Sequence, residues 1–179
     1  MDIAEFAKAR IMAIFHSKAA LARLRRGIGK EIGEIPELLE FVIPSENLTT
    51  NAESERMAEN ALYTTFTLYA FHQQGCIQCM SSGLEKNDSN TFGKAVRKLV
   101  NGDNEIAVTR RFNQVLTAKD VTELAVHARG LIGLLKRDGI LLNYPSFAKD
   151  LYWFQQENYR RNVLLNWGRD YYMNKRKDD

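Results

Sequence analysis

Positively charged side chains recur in this chain at spacings that place them on common helix faces. Residues three, four, seven or eight positions apart lie on the same side of an α-helix. Lys and Arg meet these spacings in several separate segments, and such faces suit the binding of a phosphate backbone. The candidate nucleic-acid-binding residues are Lys18, Arg25, Arg26, Lys94, Arg97, Arg110, Arg111, Arg129 and Lys136.

The predicted recognition uses charge and shape rather than the edges of bases. No recognition helix of the helix-turn-helix kind stands out in the sequence. Residues 1–30 carry seven Lys and Arg against two acidic residues, whereas residues 31–60 carry eight Glu against one Arg. Separated blocks of this kind steer a polyanion toward one side of a protein. If the basic faces converge in the folded chain, they form a positive stripe for a polynucleotide.

The cysteines and histidines suggest a second chemistry. Cys76 and Cys79 form a C-x-x-C pattern, and His72 precedes them by one helical turn, so the three side chains could approach one zinc ion. A closed zinc site needs a fourth ligand, and thioredoxin-like redox chemistry needs a βαβ setting that the sequence lacks. Packing of the two thiols in helix contacts is therefore the favoured interpretation. His16 and His127 are scattered elsewhere, and we predict no catalytic residues, no metal site and no cofactor.

The elements that must position these residues are predicted to be helices. The chain has 179 residues, of which 45% are hydrophobic, so it can bury a substantial core. No apolar run reaches the length of a membrane span, and the N-terminus lacks the pattern of a signal peptide. Two cysteines without a secretory signal favour a reducing, cytoplasmic location.

Helical periodicity dominates the chain, and no segment alternates convincingly like a strand. We predict an all-α protein of about eight to nine helices and no sheet, folded as two packed helical bundles. The predicted N-terminal lobe covers residues 1–80 and the C-terminal lobe residues 91–179. Residues 81–90, SSGLEKNDSN, are rich in turn-forming side chains and are predicted to be a surface loop between the lobes.

Capping residues and glycines predict where individual helices begin and end. Ser17 is predicted to cap a helix from Lys18 to Arg26. Asp120 or Thr117 is predicted to cap the clearest amphipathic helix, which Gly139 ends, and Ser146 to cap the one after it. The other predicted helices run from Ile3 through Ile14, over Pro36 to Val42, from near Ser54 to about Gln74, from Phe92, around Phe112, and through Val163, Trp167 and Tyr171.

Six phrases, in order along the chain, resemble one protein family. They are AALARLRRG (Ala19–Gly27), ENALYTTFTLYAFHQ (Glu59–Gln73), FGKAVRKL (Phe92–Leu99), RRFNQVLTAKDVTELAVHARGLIGLLKRDGILLNY (Arg110–Tyr144), DLYWFQ (Asp150–Gln155) and NWGRDYY (Asn166–Tyr172). These phrases are similar to those of the CasB family, the small subunit of the type I-E CRISPR Cascade complex, and they extend over nearly the whole chain.

The resemblance implies a helical two-bundle protein without catalytic activity that dimerises inside a ribonucleoprotein. Its implied partners are the other Cascade subunits, the guide RNA and the target DNA, while a recruited helicase-nuclease performs cleavage. Its basic surface is expected to support the guide–target duplex and the displaced strand. The family's nucleic-acid-facing positions carry over to Arg25, Arg26, Lys94, Arg97, Arg110, Arg111 and Arg129.

An alternative function belongs to another class of protein. The acidic N-terminal segment and apolar patches could bind only proteins, which would make the chain a helical scaffold without nucleic-acid contact.

Overall fold

Helices account for most of the computed structural model, which describes residues 2–44, 48–84 and 88–178. Nine α-helices and one 3₁₀ turn lie within these residues, which confirms the predicted all-α class. The helices are α1 (Ile3–Phe15), α2 (Lys18–Arg25), α3 (Leu39–Val42), α4 (Ala52–Gln73), α5 (Phe92–Arg97), α6 (Glu105–Leu116), α7 (Val121–Arg137), α8 (Tyr144–Phe154) and α9 (Glu157–Asp178), and the 3₁₀ turn is Pro36–Leu38.

A short parallel strand pair corrects the prediction that no sheet is present. β1 (Ser81–Ser82) pairs with β2 (Leu142–Asn143), with Ser81 opposite Leu142. The buried Asn90 braces this pair, because its Nδ2 donates to the carbonyl oxygen of Leu141 at 2.7 Å. Strands of two residues are too short for a detectable alternation, so no sequence pattern predicted them. The division into lobes at residues 81–90 stays a prediction, and residues 85–87 of that segment lie outside the described residues.

Side-chain caps fix most of the helix starts. Ser17 caps α2 as predicted, since its hydroxyl accepts from the backbone N–H of Ala20 at 3.1 Å. Asp120, rather than Thr117, caps α7, because its carboxylate accepts from the N–H of Glu123 at 2.8 Å.

Two predicted helix boundaries are wrong. α8 is capped by Asn143, whose side chain accepts from the N–H of Ser146 at 2.9 Å, so Ser146 lies inside the helix rather than capping it. Asn143 followed by Pro145 in the first turn is a local cap signal that the sequence prediction overlooked. The segment predicted as one helix from Pro36 to Val42 is a 3₁₀ turn followed by α3.

α4 is the central helix of the fold. Every residue from 61 to 70 is buried, and α4 packs against α2, α7 and α8. A helix that is enclosed on all sides needs apolar or hydrogen-bonded side chains all round. α1 packs on α8, α5 lies along α9, and α6 lies on α7. The two sides of α4 therefore hold α2 and α7 in fixed positions.

A cluster of aromatic rings joins α5, α6, α8 and α9. The ring of Phe92 lies 5.0 Å from that of Trp167, and the ring of Phe112 stacks on Tyr171 at 4.5 Å, measured between centroids. α5 and α9 approach so closely at Gly93 that a Cβ there would overlap the carbonyl oxygen of Trp167. This packing makes the base of α6 rigid. None of the described helices is both long and apolar enough to cross a bilayer.

Candidate nucleic-acid interface

The C-terminal end of α2 is anchored directly on α4. The hydroxyl of Tyr63 donates to the carbonyl oxygen of Gly27 at 3.2 Å. A Cβ at Gly27 would lie 2.7 Å from that hydroxyl and 2.9 Å from a methyl of Thr67, so only glycine fits this approach. Arg25 and Arg26, which immediately precede Gly27, are therefore held at a fixed height beside α4.

The α2 cations differ in how much of their charge is already neutralised. Arg26 Nη1 lies 2.9 Å from Glu37 Oε1, and Arg23 pairs with Glu40. Both pairs are exposed, with Arg26 at 66%, and exposed pairs contribute only about 0–1 kcal/mol, so a phosphate can replace the carboxylate. Lys18 is exposed and Arg25 half-buried, and neither has a carboxylate partner among the described side chains.

Lys94 and Arg97 on α5 have different environments. The Arg97 side chain is only 11% exposed, its Nη1 lies 3.7 Å from Glu105 Oε1, and its guanidinium lies 6.0 Å from the ring centroid of Tyr171. These contacts tie α5 to α6 and α9, so most of the Arg97 charge serves internal packing. Lys94 is half-exposed, one turn earlier on the same helix.

Arg110 and Arg111 on α6 are both exposed, and within the described part of the chain neither meets a carboxylate. Their neighbours hold the helix firmly. Phe112 is fully buried, and the hydroxyl groups of Thr109 and Tyr171 are hydrogen-bonded at 2.7 Å. Adjacent helical residues point about 100° apart. The two guanidinium groups therefore present charge over a broad sector of a rigid helix.

Arg129 and Lys136 on α7 both lie close to one aromatic ring. The Arg129 guanidinium carbon is 5.4 Å, and Lys136 Nζ 5.3 Å, from the centroid of Phe71 on α4. A cation over an aromatic face is attracted by the ring quadrupole. Phe71 thus fixes two positive side chains that have no carboxylate partner among the residues described.

The loop that follows α2 and the helix α7 both border one open cleft. This α4–α7 cleft of about 970 Å³ lies between the loop 27–32, α4 and α7, and Arg129 lines it. The α2 cations Lys18, Arg25 and Arg26 are not among the residues that line it. α6 packs beside α7, whereas α5 packs chiefly along α9. The prediction that all four basic groups share one face stays a prediction.

Sequence reasoning missed several cations near these surfaces. Lys30 and Arg56 line the α4–α7 cleft together with Arg129, and only their position in the fold reveals this. Arg161 and Arg169 border a second hollow of about 720 Å³ on α9. The last two lie eight residues apart, a helical spacing that could have identified them.

Much of the acidic segment is used inside the protein. Glu37 and Glu40 pair with arginines of α2, and the carboxylate of Glu55 accepts from the backbone N–H groups of Leu48 and Thr49 at 3.1 and 2.9 Å. These contacts hold the approach to α4. They leave less free negative charge for a protein partner than the sequence suggests.

His72 and the two cysteines take part in packing. His72 is fully buried, its Nδ1 lies 3.0 Å from the hydroxyl of Tyr144, and burial lowers its pKa to about 4. Cys79 Sγ lies 3.3 Å from the hydroxyl of Tyr69. Both thiols are free, and no group of three or more His, Cys, Asp or Glu in the described part of the chain could hold a metal ion. The arrangement fits the packing interpretation of these residues.

Asp150 is the other strongly perturbed group. Burial raises its pKa to about 6, and it accepts a 2.7 Å hydrogen bond from Trp167 Nε1. This bond joins α8 to α9 inside the aromatic cluster, so Asp150 stabilises the base on which α5 and α6 rest.

Comparison with known proteins gives consistent matches. The model of the family described as CRISPR-associated protein Cse2 matches residues 20–172. CasB from Thermobifida fusca is similar over 94% of this chain and 97% of its own, with 29% identity and a TM-score of 0.80. CasB from M. ruber matches over 97% and 95%, with 26% identity and a TM-score of 0.72. A structure described as a CRISPR RNA-guided surveillance complex shares the fold at 16% identity, covering 99% of both chains with a TM-score of 0.69. The sequences of curated proteins give no significant match.

Proposed function

Because the chain belongs to the CRISPR-associated protein Cse2 family, we propose that it is a non-catalytic small subunit of a type I-E CRISPR Cascade complex in antiviral defence. Its basic helix faces bind the backbone of nucleic acid and stabilise the R-loop formed by guide RNA and target DNA. In this role the guide supplies sequence specificity by base pairing, and the protein supplies charge.

One observation carries this proposal: exposed arginines project from rigid helices without carboxylate partners in the described residues. Arg110 and Arg111 stand on α6 above the aromatic cluster, and Arg129 stands on α7 against Phe71. A guanidinium that is already positioned loses little freedom when it binds a phosphate, and each bound phosphate releases counterions. These three residues are therefore the strongest candidates for backbone contact.

The partners in this proposal are other Cascade subunits, the guide RNA, the target DNA and a second copy of this chain, in the cytoplasm. Exposed apolar side chains on α9, among them Leu165 at 44% and Met173 at 64%, favour contact with a neighbouring protein. The arginines proposed to bind nucleic acid lie on α6 and α7, so this α9 surface can bind a protein at the same time.

Direct binding to labelled single-stranded DNA tests the proposal. With about five phosphates neutralised, the log–log salt slope is near −3.5, which is roughly a hundredfold loss of affinity between about 50 and 200 mM salt. An Arg110→Ala/Arg111→Ala double variant should weaken binding and flatten the slope. The matched control is Arg137→Ala/Lys149→Ala, which removes two charges that pair with Asp138 and Asp2.

The second candidate function is a protein scaffold without nucleic-acid contact, and the long acidic segment is the observation that favours it. It predicts no binding of DNA at low salt, even at tens of micromolar protein. Salt-insensitive binding, or equal affinities for the wild type and the Arg110/Arg111 double variant, would also contradict the proposed function.

A further inference from the structure

The α4–α7 cleft offers a hydroxyl group to whatever occupies it. Thr64 lines the cleft and is only 7% exposed, yet its hydroxyl has no hydrogen-bond partner among the described residues. Its neighbour Thr67, by contrast, donates to the carbonyl oxygens of Tyr63 and Thr64 at 3.0 and 3.1 Å. The Thr64 hydroxyl is therefore free to bond to water or to a polar group of a ligand in the cleft.

The α7 wall of the cleft is open to close approach. Gly130 and Gly133 lie one turn apart and both line the cleft. A Cβ at Gly130 would have no neighbour within 4 Å, so no contact within this chain requires glycine there. Glycine in a helix interior is less stable than alanine by about 1 kcal/mol. Glycines without an internal packing reason suit a site where a ligand approaches the backbone.

The remaining walls of the cleft combine apolar and positively charged side chains, which suit a ligand that has both a flat face and phosphate groups. Phe71 and Leu68 contribute apolar surface from α4, and Arg129 lies beside Phe71 on the rim. Arg56 and Lys30 line the cleft too, beside Glu31 and Glu53, and Lys30 forms an exposed pair with Glu34 that a phosphate can replace. Arg guanidinium planes and aromatic rings both stack on nucleobases, and cations at the rim hold phosphates. A single strand offers both features together, whereas a duplex hides the faces of its bases.

We propose that the α4–α7 cleft takes an unpaired nucleobase of a single strand, with its phosphates on the Arg129 and Arg56 rims and a polar edge at the Thr64 hydroxyl. This inference rests on the proposed function and deepens it, because it adds base contact to backbone charge. Every base has a flat face, so the cleft needs no particular sequence.

Two labelled oligomers with equal numbers of phosphates test the cleft in the full-length protein. One is oligothymidylate, and the other has the same backbone with abasic sugars. The wild type should bind oligothymidylate roughly tenfold more tightly, because base stacking contributes only there. Gly130→Leu should reduce this ratio to about one without changing the affinity for the abasic oligomer, because it fills the cleft and removes no charge.

Three controls separate the cleft from other effects. Gly130→Ala fits the open space and should keep the preference for bases, and Gly102→Leu places the same side chain at an exposed loop glycine with open space around it. Thr64→Val preserves volume and should weaken only the binding of oligothymidylate.

Each possible outcome decides the inference. Equal affinity of the wild type for the two oligomers, or a preference that Gly130→Leu leaves intact, overturns the cleft proposal. In that case, the proposed function stands if the Arg110/Arg111 double variant still has a lower affinity for both oligomers. The cleft would then bind a protein segment instead of a base. Failure of the wild type to bind either oligomer overturns both proposals.

Discussion

Replacement of Asp150 by asparagine tests the buried carboxylate that joins α8 to α9. Its pKa of about 6 lies above the ordinary value of 3.8 because burial disfavours the charged form. The folded protein therefore binds the proton more tightly than the unfolded chain, and this group's contribution to stability falls as the pH rises from about 4 to about 6. A shift of about two pKa units corresponds to roughly 3 kcal/mol.

Asp150→Asn keeps an oxygen that can accept the hydrogen bond from Trp167 Nε1 and removes the charge. Relative to the wild type, its free energy of unfolding should therefore rise by roughly 3 kcal/mol between about pH 4 and pH 7. The measurement is urea-induced unfolding followed by circular dichroism across that range. Taking the difference between variants cancels the titration of every other group, including His72.

Asp138→Asn is a control of opposite sign. The Arg137 guanidinium, 2.7 Å away, lowers the pKa of the Asp138 carboxyl, so its contribution to stability is lost as the pH falls. If the difference in free energy of unfolding between Asp150→Asn and the wild type does not change with pH, the raised pKa assigned to the Asp150 carboxyl is refuted.

Three further changes follow from single contacts. His72, whose burial lowers its pKa to about 4, should destabilise the fold by roughly 3 kcal/mol as the pH falls from about 6.5 to 4, and His72→Phe should abolish this dependence in the same unfolding series. Gly93→Ala should destabilise the fold by about 1–3 kcal/mol or more in thermal unfolding, because its Cβ meets the Trp167 carbonyl. Gly130→Ala should stabilise the fold by up to about 1 kcal/mol, because its Cβ meets nothing. Equal effects of the two substitutions would contradict the packing described. Arg26→Ala should change the free energy of unfolding by less than about 1 kcal/mol, since its pair with Glu37 is exposed, and a larger loss would show that this pair fastens α2.

Local patterns were sufficient for most of the helices. The stripe through Val121, Leu124 and Leu131 predicted α7, and the structure buries all three. Ser17 and Asp120 were identified as caps because a cap requires only a side-chain oxygen within three residues of the N–H groups it bonds. Such signals depend only on residues close together in the sequence, so they can be recognised without knowledge of the fold.

The site was only partly predictable. The exposure of Arg110 and Arg111 followed from their position beside the buried Phe112. The ion pairs of Arg26 and Arg97 could not be predicted in this way. Their partners Glu37 and Glu105 are eight to eleven residues away and reach them only through the packing of other segments. Charge spacing along a helix shows which side chains share a face but not what lies opposite that face.

The sequence by itself determined the all-α class, the starts of α2 and α7, and the phrases shared with a known family, since periodicity, caps and motifs are properties of neighbouring residues. Tertiary structure alone decided that two short strands pair and that α4, α7 and the loop 27–32 line one cleft. Each of these depends on contacts between segments that are far apart in sequence. The positions of such segments are set by the competition of all helices for one buried core, which no local pattern records.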